Sequence, residues 1–428
     1  MSPKAPVEDR DAVLDLFARH VSRGKVDFYR RFGLDLVMGE RQGCTFHDVD
    51  GRPFLNAHCN GGVFNMGHRH PRLIRALVRA TERYDIGNHH LISAPRASLA
   101  QRLTALLPGD LDHVVFGVSG GEAIDVALKM ARGLTGRPNI LSAVGGYHGH
   151  TGLALATGDA RYRDVFMPNL PGFAQVPFGD LDALADAVDD QTAAVLLEAV
   201  PATLGIVVPD PDYLQGVRRL CDDRGALFIL DEVQTGLGRT GYLFAADAFD
   251  VVPDLLVLGK GLSGGLTPLA ATAYRAPHHR IFDADPFVHI STFGGNELAC
   301  AVALELLDML EEPAFLDRVY RNAERLADGL DALRRQWPHL LVEVRQMGMM
   351  IGLVWRSEGC GLAMSKLLFD QGVFAVYSNN DRRVTQLLLP LVAGDEDVDL
   401  ALDRLGRATA ALAEPQMQAM AEAIASMV

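Results

Sequence analysis

The sequence predicts an α/β fold: a large domain on a mainly parallel sheet, with a smaller α+β domain. Between about residues 70 and 325, apolar strand-like runs alternate with helix-patterned segments, the rhythm of a sheet whose strands are joined by crossover helices. Beyond that stretch, two strand-like runs follow one another directly, then a helix, a strand and a terminal helix, which closes the chain with a second pattern. The predicted division is residues 1–69, an amino-terminal helix and hairpin contributing to the small domain; 70–325, the large domain; and 326–428, the small domain.

Residues 11–23 carry a short helical pattern, and Cys44 to Asn56 read as two strands around the turn signal Asp50-Gly51. Val114–Val118, Ile140–Ala143, Ala194–Leu197, Leu227–Leu230 and Leu255–Leu258 are the expected strands of the large sheet. A helix follows the first of these, with Ile124, Ala127, Leu128 and Ala131 on one face. One long helical stretch is expected near 297–336, then strands at Leu341–Gly348, Met350–Trp355 and Val384–Leu389.

The 428 residues allow two or three packed units. A net charge of −14 lacks the basic footprint of a nucleic-acid-binding protein. No apolar run reaches the roughly 18 residues that cross a bilayer, and Met1 to Arg10 lack the apolar stretch of a secretory signal, so a cytoplasmic protein is expected. The five cysteines include no C-x-x-C pair and are expected to be reduced packing residues. The histidine pairs His68/His70, His89/His90 and His148/His150 lack the helical i, i+4 spacing of a metal site, which leaves loop or cofactor-packing roles.

Three constellations carry candidate chemistry. Ser119-Gly120-Gly121-Glu122 lies between a strand and a helix start, where free N–H groups and the helix dipole favour an anion; an ordinary helix cap has the same pattern. The lysines are Lys4, Lys25, Lys129, Lys260 and Lys366. Among these, Lys260 follows the strand Leu255–Leu258 and is flanked by Gly259 and Gly261, at the sheet edge where ligands of α/β folds bind. A lysine there is either a solvated surface residue or a nucleophile for a carbonyl. Asp231 ends another strand and Glu232 follows it; a buried acid needs a cation, which a protonated pyridine nitrogen or an arginine would supply. Gly236-Leu237-Gly238-Arg239-Thr240-Gly241 matches G-x-G-x-x-G, but Asp231–Thr235 separates it from the strand and no helix pattern opens after it, so a dinucleotide site is rejected.

Taken in order, Ser119-Gly120-Gly121-Glu122-Ala123, Tyr147-His148-Gly149-His150, Asp231-Glu232-Val233-Gln234-Thr235-Gly236, Lys260 and Ser291-Thr292-Phe293-Gly294-Gly295-Asn296 strongly resemble the class III aminotransferases. These are pyridoxal-phosphate (PLP) enzymes of fold type I, and the resemblance runs from about Phe46 to Asp395. It implies a large domain with a sheet of the seven-stranded type. It also implies that Lys260 forms the Schiff base with the cofactor aldehyde and shuttles the proton, while Asp231 pairs with the pyridine nitrogen. By the same likeness Gln234 lies near the ring hydroxyl, Gly120 and Gly121, with Ser119, hold the phosphate, Tyr147 stacks on the ring, and His148 and Glu198 complete the cofactor contacts. Thr292 would reach the phosphate of a neighbouring subunit, implying a homodimer with shared active sites.

Departures from the family pattern bear on the substrate. Gln386 stands where many members carry a carboxylate-binding arginine, and Thr203 where they carry the glutamate that pairs with it. Loss of both leaves an uncharged pocket, whereas loss of one would strand a charge. The expected reaction is therefore a ping-pong transfer of an amino group from a primary or omega-amino compound to a keto or aldehyde acceptor, with Arg382 or Arg383 receiving any amino-acid partner. Asn60 replaces a common glycine in the substrate region, and Glu297 a common proline. A racemase, epimerase or decarboxylase, or a PLP-binding protein without turnover, would share the fold and cofactor.

Overall fold

The computed structural model describes residues 9–166 and 170–425. Lys4 and most of the charged amino terminus lie outside the described residues. The chain begins with helices at Arg10–Phe17 and Arg23–Phe32, joined by a π-helical turn at Ala18–Ser22, then forms strands β1 (Met38–Gln42), β2 (Thr45–Asp48) and β3 (Pro53–Asn56). The expected hairpin is β2 with β3: Phe46 opposes Phe54, their rings stack at 5.3 Å, and Gly51 supplies the left-handed φ of the turn.

The large sheet comprises β4 (His113–Gly117), β5 (Asn139–Ala143), β6 (Phe173–Val176), β7 (Thr192–Glu198), β8 (Leu227–Asp231), β9 (Leu255–Leu258) and β10 (Ala270–Tyr274), in the order β4-β10-β9-β8-β7-β5-β6. All run parallel except β10, which is antiparallel to both neighbours. Residues Ala193 to Leu197 are completely buried, as expected of a strand covered on both faces. Their alternation divides the core. Val195 and Leu197 pack with Leu214 and Val217 on one side, while Ala194 and Leu196 pack with Ile124, Ala127, Leu128 and Ala131 of helix Gly120–Thr135 on the other.

Strands β6 and β10 escape the sequence pattern. The Ala-Ala-Thr-Ala-Tyr of β10 is mostly alanine, with one β-branched residue, Thr272, where strands ordinarily carry several. It fits beneath helix Gly120–Thr135, where the Thr272 hydroxyl donates to the Ala123 carbonyl at 2.8 Å. The expected long helical stretch is two helices, Glu297–Leu310 and Pro313–Gln336, the second started by a proline in its first turn.

A smaller sheet holds β11 (Leu341–Met347), β12 (Met350–Trp355), β14 (Val376–Tyr377) and β15 (Val384–Leu387), in the order β11-β12-β15-β14. Between β12 and β14 come helix Glu358–Asp370 and the short β13 (Val373–Phe374), which pairs in parallel with β3 and so ties the amino-terminal strands to the carboxy-terminal part of the chain. The free cysteines Cys44, Cys59, Cys221, Cys300 and Cys360 are all buried. Among the described residues, no helix is long and apolar enough to cross a membrane.

Candidate active site

The carboxyl ends of β4, β5, β7, β8 and β9 converge on a cavity of about 380 Å³. Ser119, Gly120 and Gly121 line one part of it. Ser119 caps helix Gly120–Thr135, its hydroxyl accepting from Glu122 N at 3.2 Å, while the Glu122 carboxylate reaches back to Val118 N at 2.6 Å. This reciprocal bonding fixes the turn and places Gly120 and Gly121, the first two residues of a 16-residue helix, in the cavity lining. Both glycines are closely packed: a Cβ on Gly121 would stand 2.9 Å from Thr151 Oγ1, and one on Gly120 3.1 Å from Val233 Cγ1.

Tyr147 and His148 leave β5 through the turn Gly145-Gly146 and line the same cavity, as do Glu198, Asp231, Gln234 and Lys260. Asp231 is 5% exposed, and its two oxygens are separately held: Oδ2 lies 2.8 Å from His148 Nδ1, and Oδ1 accepts from Val233 N at 3.0 Å. Burial pulls the His148 pKa down, but the hydrogen bond and charge of Asp231 outweigh it and leave the imidazole raised. Glu198 stands opposite Asp231 across the β7–β8 pair and accepts from Tyr147 N at 3.0 Å. Burial raises its carboxyl pKa, against the pull of His148.

Lys260 opens a single 3-10 turn directly after β9, with a left-handed φ of +39°. That conformation is strained for a lysine and belongs to the class of outliers that cluster at functional sites. Its Nζ donates to Gln234 Oε1 at 2.5 Å, and burial lowers its pKa despite the opposing charges of Asp231 and Glu198. Gly61 covers the amine: a Cβ there would lie 3.2 Å from Nζ. The remaining described lysines lie in helices, Lys129 beside His289 Nδ1 at 2.9 Å and Lys366 paired with Asp370.

A second cavity, of about 560 Å³, adjoins the first and shares Tyr147, His150, Gln234 and Lys260 with it. Asn60, Thr203 and Gln386 line this larger space. The left-handed φ of +49° at Asn60 accounts for the glycine common at that position. Thr203 Oγ1 donates to Gly145 O at 3.1 Å, while Gln386 Nε2 donates to Ala202 O and Ser378 Oγ, both at 3.1 Å. The two residues thus meet at one strip of backbone, and their donors are spent inside the protein.

Arg382 and Arg383, expected as carboxylate receptors, line neither cavity. Arg383 is exposed and gripped by Asp381 through two bonds of 2.9 Å, since the turn before β15 aims it outward. Thr292 is also exposed and lines neither cavity. Glu297 takes the first position of helix Glu297–Leu310, where proline is equally at home.

Glu232 proves structural: it accepts from Ala245 N, Ala246 N and Thr235 Oγ1 and holds the start of a short helix. The G-x-G-x-x-G segment contains no helix, and its Arg239 is wholly buried, donating to Met349 O, Leu389 O and Asn65 Oδ1. Sequence reasoning missed Val233, which lines the cavity two residues past Asp231, and His58, brought to Lys260 by a fold-back with no local signal. Burial and the neighbouring Lys260 hold the His58 imidazole down near 4.

Among the described residues lining the smaller cavity, two buried polar atoms remain without protein partners, Gln234 Nε2 and His148 Nε2. Together with the glycine cradle, the fixed carboxylate and the buried amine, they fit a phosphorylated aldehyde with a ring nitrogen and a ring hydroxyl. The fold and site define a pyridoxal-phosphate-dependent enzyme. Residues 30–409 match the family described as Aminotransferase class-III. An uncharacterized aminotransferase of Archaeoglobus fulgidus is 48% identical over 396 residues, 92% of this chain and 93% of that protein. Among solved structures, an ornithine aminotransferase of Toxoplasma gondii with partial occupancy of PLP at its active site is 29% identical, with a TM-score of 0.86 over 94% of this chain and 95% of its own. A thermostable (S)-enantioselective omega-transaminase of Thermomicrobium roseum is 27% identical, with a TM-score of 0.86 over 96% of this chain and all of its own (100%). The chain belongs to the class III aminotransferases, and its cofactor is PLP.

Proposed function

We propose that this enzyme moves an amino group from a primary amine lacking an α-carboxylate to a keto or aldehyde acceptor, in two half-reactions at one site. The observation that carries the substrate assignment is the neutral patch that Thr203 and Gln386 form in the wall of the larger cavity, whose cationic lining residues are Lys260 and Lys366. Among the described residues no arginine lines either cavity, and the donors of Gln386 and Thr203 are already bonded to backbone and Ser378. A carboxylate brought there would lose its hydration without a counter-charge.

The cofactor, when bound, supplies the electron sink for a carbanion at the substrate carbon. Gly120 and Gly121 would hold its phosphate, Asp231 its ring nitrogen, Gln234 its ring hydroxyl and Tyr147 a ring face. His148 acts through Asp231: by occupying Oδ2 it fixes the carboxylate's orientation and supports its charge. Lys260 stands at the junction of the two cavities, so its amine would lie between the cofactor aldehyde and the substrate. Burial lowers its pKa and so favours the neutral amine that a nucleophile and a proton carrier require. Gly61 and His58 close over the amine and limit water around it.

The homodimer belongs to the same proposal. Leu91 (70% exposed), Ile92 (99%) and Phe287 (58%) leave apolar surface uncovered on the single chain, as does Phe293, the neighbour of Thr292. Covering that surface with a second copy would carry Thr292 to the partner's phosphate.

A panel of amines and keto acids, followed by absorbance as the cofactor passes between its aldehyde and amine forms, tests the reaction type. Conversion to the amine form by simple amines, reversed by keto acids, is expected. Exchange of the substrate α-proton without that conversion would identify a racemase instead, and release of carbon dioxide a decarboxylase.

A further inference from the structure

The larger cavity has a part that the reaction does not use. Helix Arg23–Phe32 contributes Phe28 and Phe32, helix Glu358–Asp370 contributes Leu362, Ser365 and Phe369, and Phe374 comes from β13. Leu362, Ser365 and Phe369 are spaced three and four residues apart, so they share one helix face, and that face is turned to the cavity. The wall is mainly apolar, with Ser365, Lys366 and Tyr29 as its polar members.

Ser365 is 7% exposed, and its hydroxyl has no hydrogen-bond partner. A serine within a helix ordinarily bonds back to a carbonyl of the preceding turn or faces water; this one does neither and lines the cavity. A buried hydroxyl left unpaired is costly, so its position is explained if a ligand completes it. The charge next to it in sequence is already paired: Lys366 donates to both oxygens of Asp370. An anionic tail would therefore have to share Lys366 with Asp370, whereas a neutral oxygen finds an unspent donor.

Resting on the amine-donor reading above, we propose that Ser365 determines specificity by hydrogen-bonding a neutral polar group, such as a hydroxyl, ether or amide oxygen, carried on an extended apolar body of the amine substrate. The aromatic residues beside it bury that body, and the hydroxyl sets where its polar group lies. A site built to bond such a group discriminates against the analogue that lacks it, because the serine is then left unpaired.

The test compares n-alkylamines of three to eight carbons with their terminal hydroxy analogues, using the PLP-loaded enzyme, Ser365→Ala and Ser365→Thr. Half-reaction rates and calorimetric dissociation constants are both measured. Wild type should gain roughly fourfold in half-reaction efficiency per added methylene, the ratio corresponding to ~0.8 kcal/mol, until the cavity is filled. At one chain length the amino alcohol should bind tighter than the alkylamine of equal length. Ser365→Ala should erase that preference by about tenfold with the alkylamine unaffected, and Ser365→Thr should keep it. No preference at any length, equal losses for both series in Ser365→Ala, or a stronger response to amines with a terminal carboxylate would overturn the proposal. If no amine converts the cofactor but calorimetry still shows a serine-dependent preference, the Ser365 assignment stands and the transamination reading falls.

Discussion

Gln386→Arg puts the neutral-wall argument under direct load. Gln386 is 6% exposed, pairs with the carbonyl of Ala202, and so stands beside Thr203, in a cavity that no acid lines among the described residues. A guanidinium placed there alone is a buried charge without a partner, and the expected loss of stability in the cofactor-free protein is ~3–5 kcal/mol. Adding Thr203→Glu should return most of that loss, because the two side chains meet over the same strip of backbone. The double-mutant cycle should therefore show a coupling of several kcal/mol, read from urea unfolding of wild type, both singles and the double. The single arginine variant should also gain stability on addition of an α-amino acid, whose carboxylate supplies the missing charge, and should accelerate the α-amino-acid half-reaction. A single variant as stable as wild type, no recovery in the double, or an unchanged response to carboxylates would refute the reasoning.

Lys260→Ala should fold and bind the phosphorylated cofactor but lack the visible absorbance of the lysine adduct, with turnover abolished; a retained band traced to another lysine would remove Lys260 from its role. Asp231→Asn should retain cofactor and slow the half-reaction by at least about a hundredfold, the scale of losing one preorganised electrostatic contact, and near-normal rates in stopped-flow measurements would count against the ring-nitrogen pairing. Glu232 is buried with its carboxyl pushed up to about 7 from 4.5. The folded state then binds more protons than the unfolded state between those values, so this group's contribution to stability is full below about pH 4.5 and is lost as pH rises through 7, by about 3 kcal/mol. Thermal midpoints across pH 4–8 should show that decline in wild type and lose it in Glu232→Gln. Thr292→Ala should weaken phosphate-group affinity in a dimeric enzyme without changing the substrate preference, and cofactor titrations at two protein concentrations separate that effect from dissociation.

Much of the site was legible because parallel sheets concentrate chemistry at strand ends. Lys260 and Asp231 each follow an unbroken apolar run, and a polar residue at the end of such a run is already placed at the ligand-binding edge. The capping pattern at Ser119 was equally local, since its bonds span three and four residues. What escaped notice depends on contacts between distant parts of the chain. His58 reaches Lys260 only after the amino-terminal strands pair with β13, and Arg383 could be placed near a substrate from sequence spacing until the turn holding it to Asp381 was known. Strand β10 was hidden by its own composition, because a strand that must fit under a helix uses alanines that otherwise read as helical.

The two neutral positions carry a further lesson about how such a site changes. Thr203 and Gln386 are far apart in sequence, and neither is unusual alone. Their hydrogen bonds nevertheless converge on Ala202, Ser378 and Gly145, so each is held by the backbone beside the other. An intermediate with one charge would carry a lone buried ion, whereas in the pair as it stands both side-chain donors are bonded. Neutrality at this wall is thus a property of the pair, and substrate preference should follow the pair in any relative that restores one member with the other.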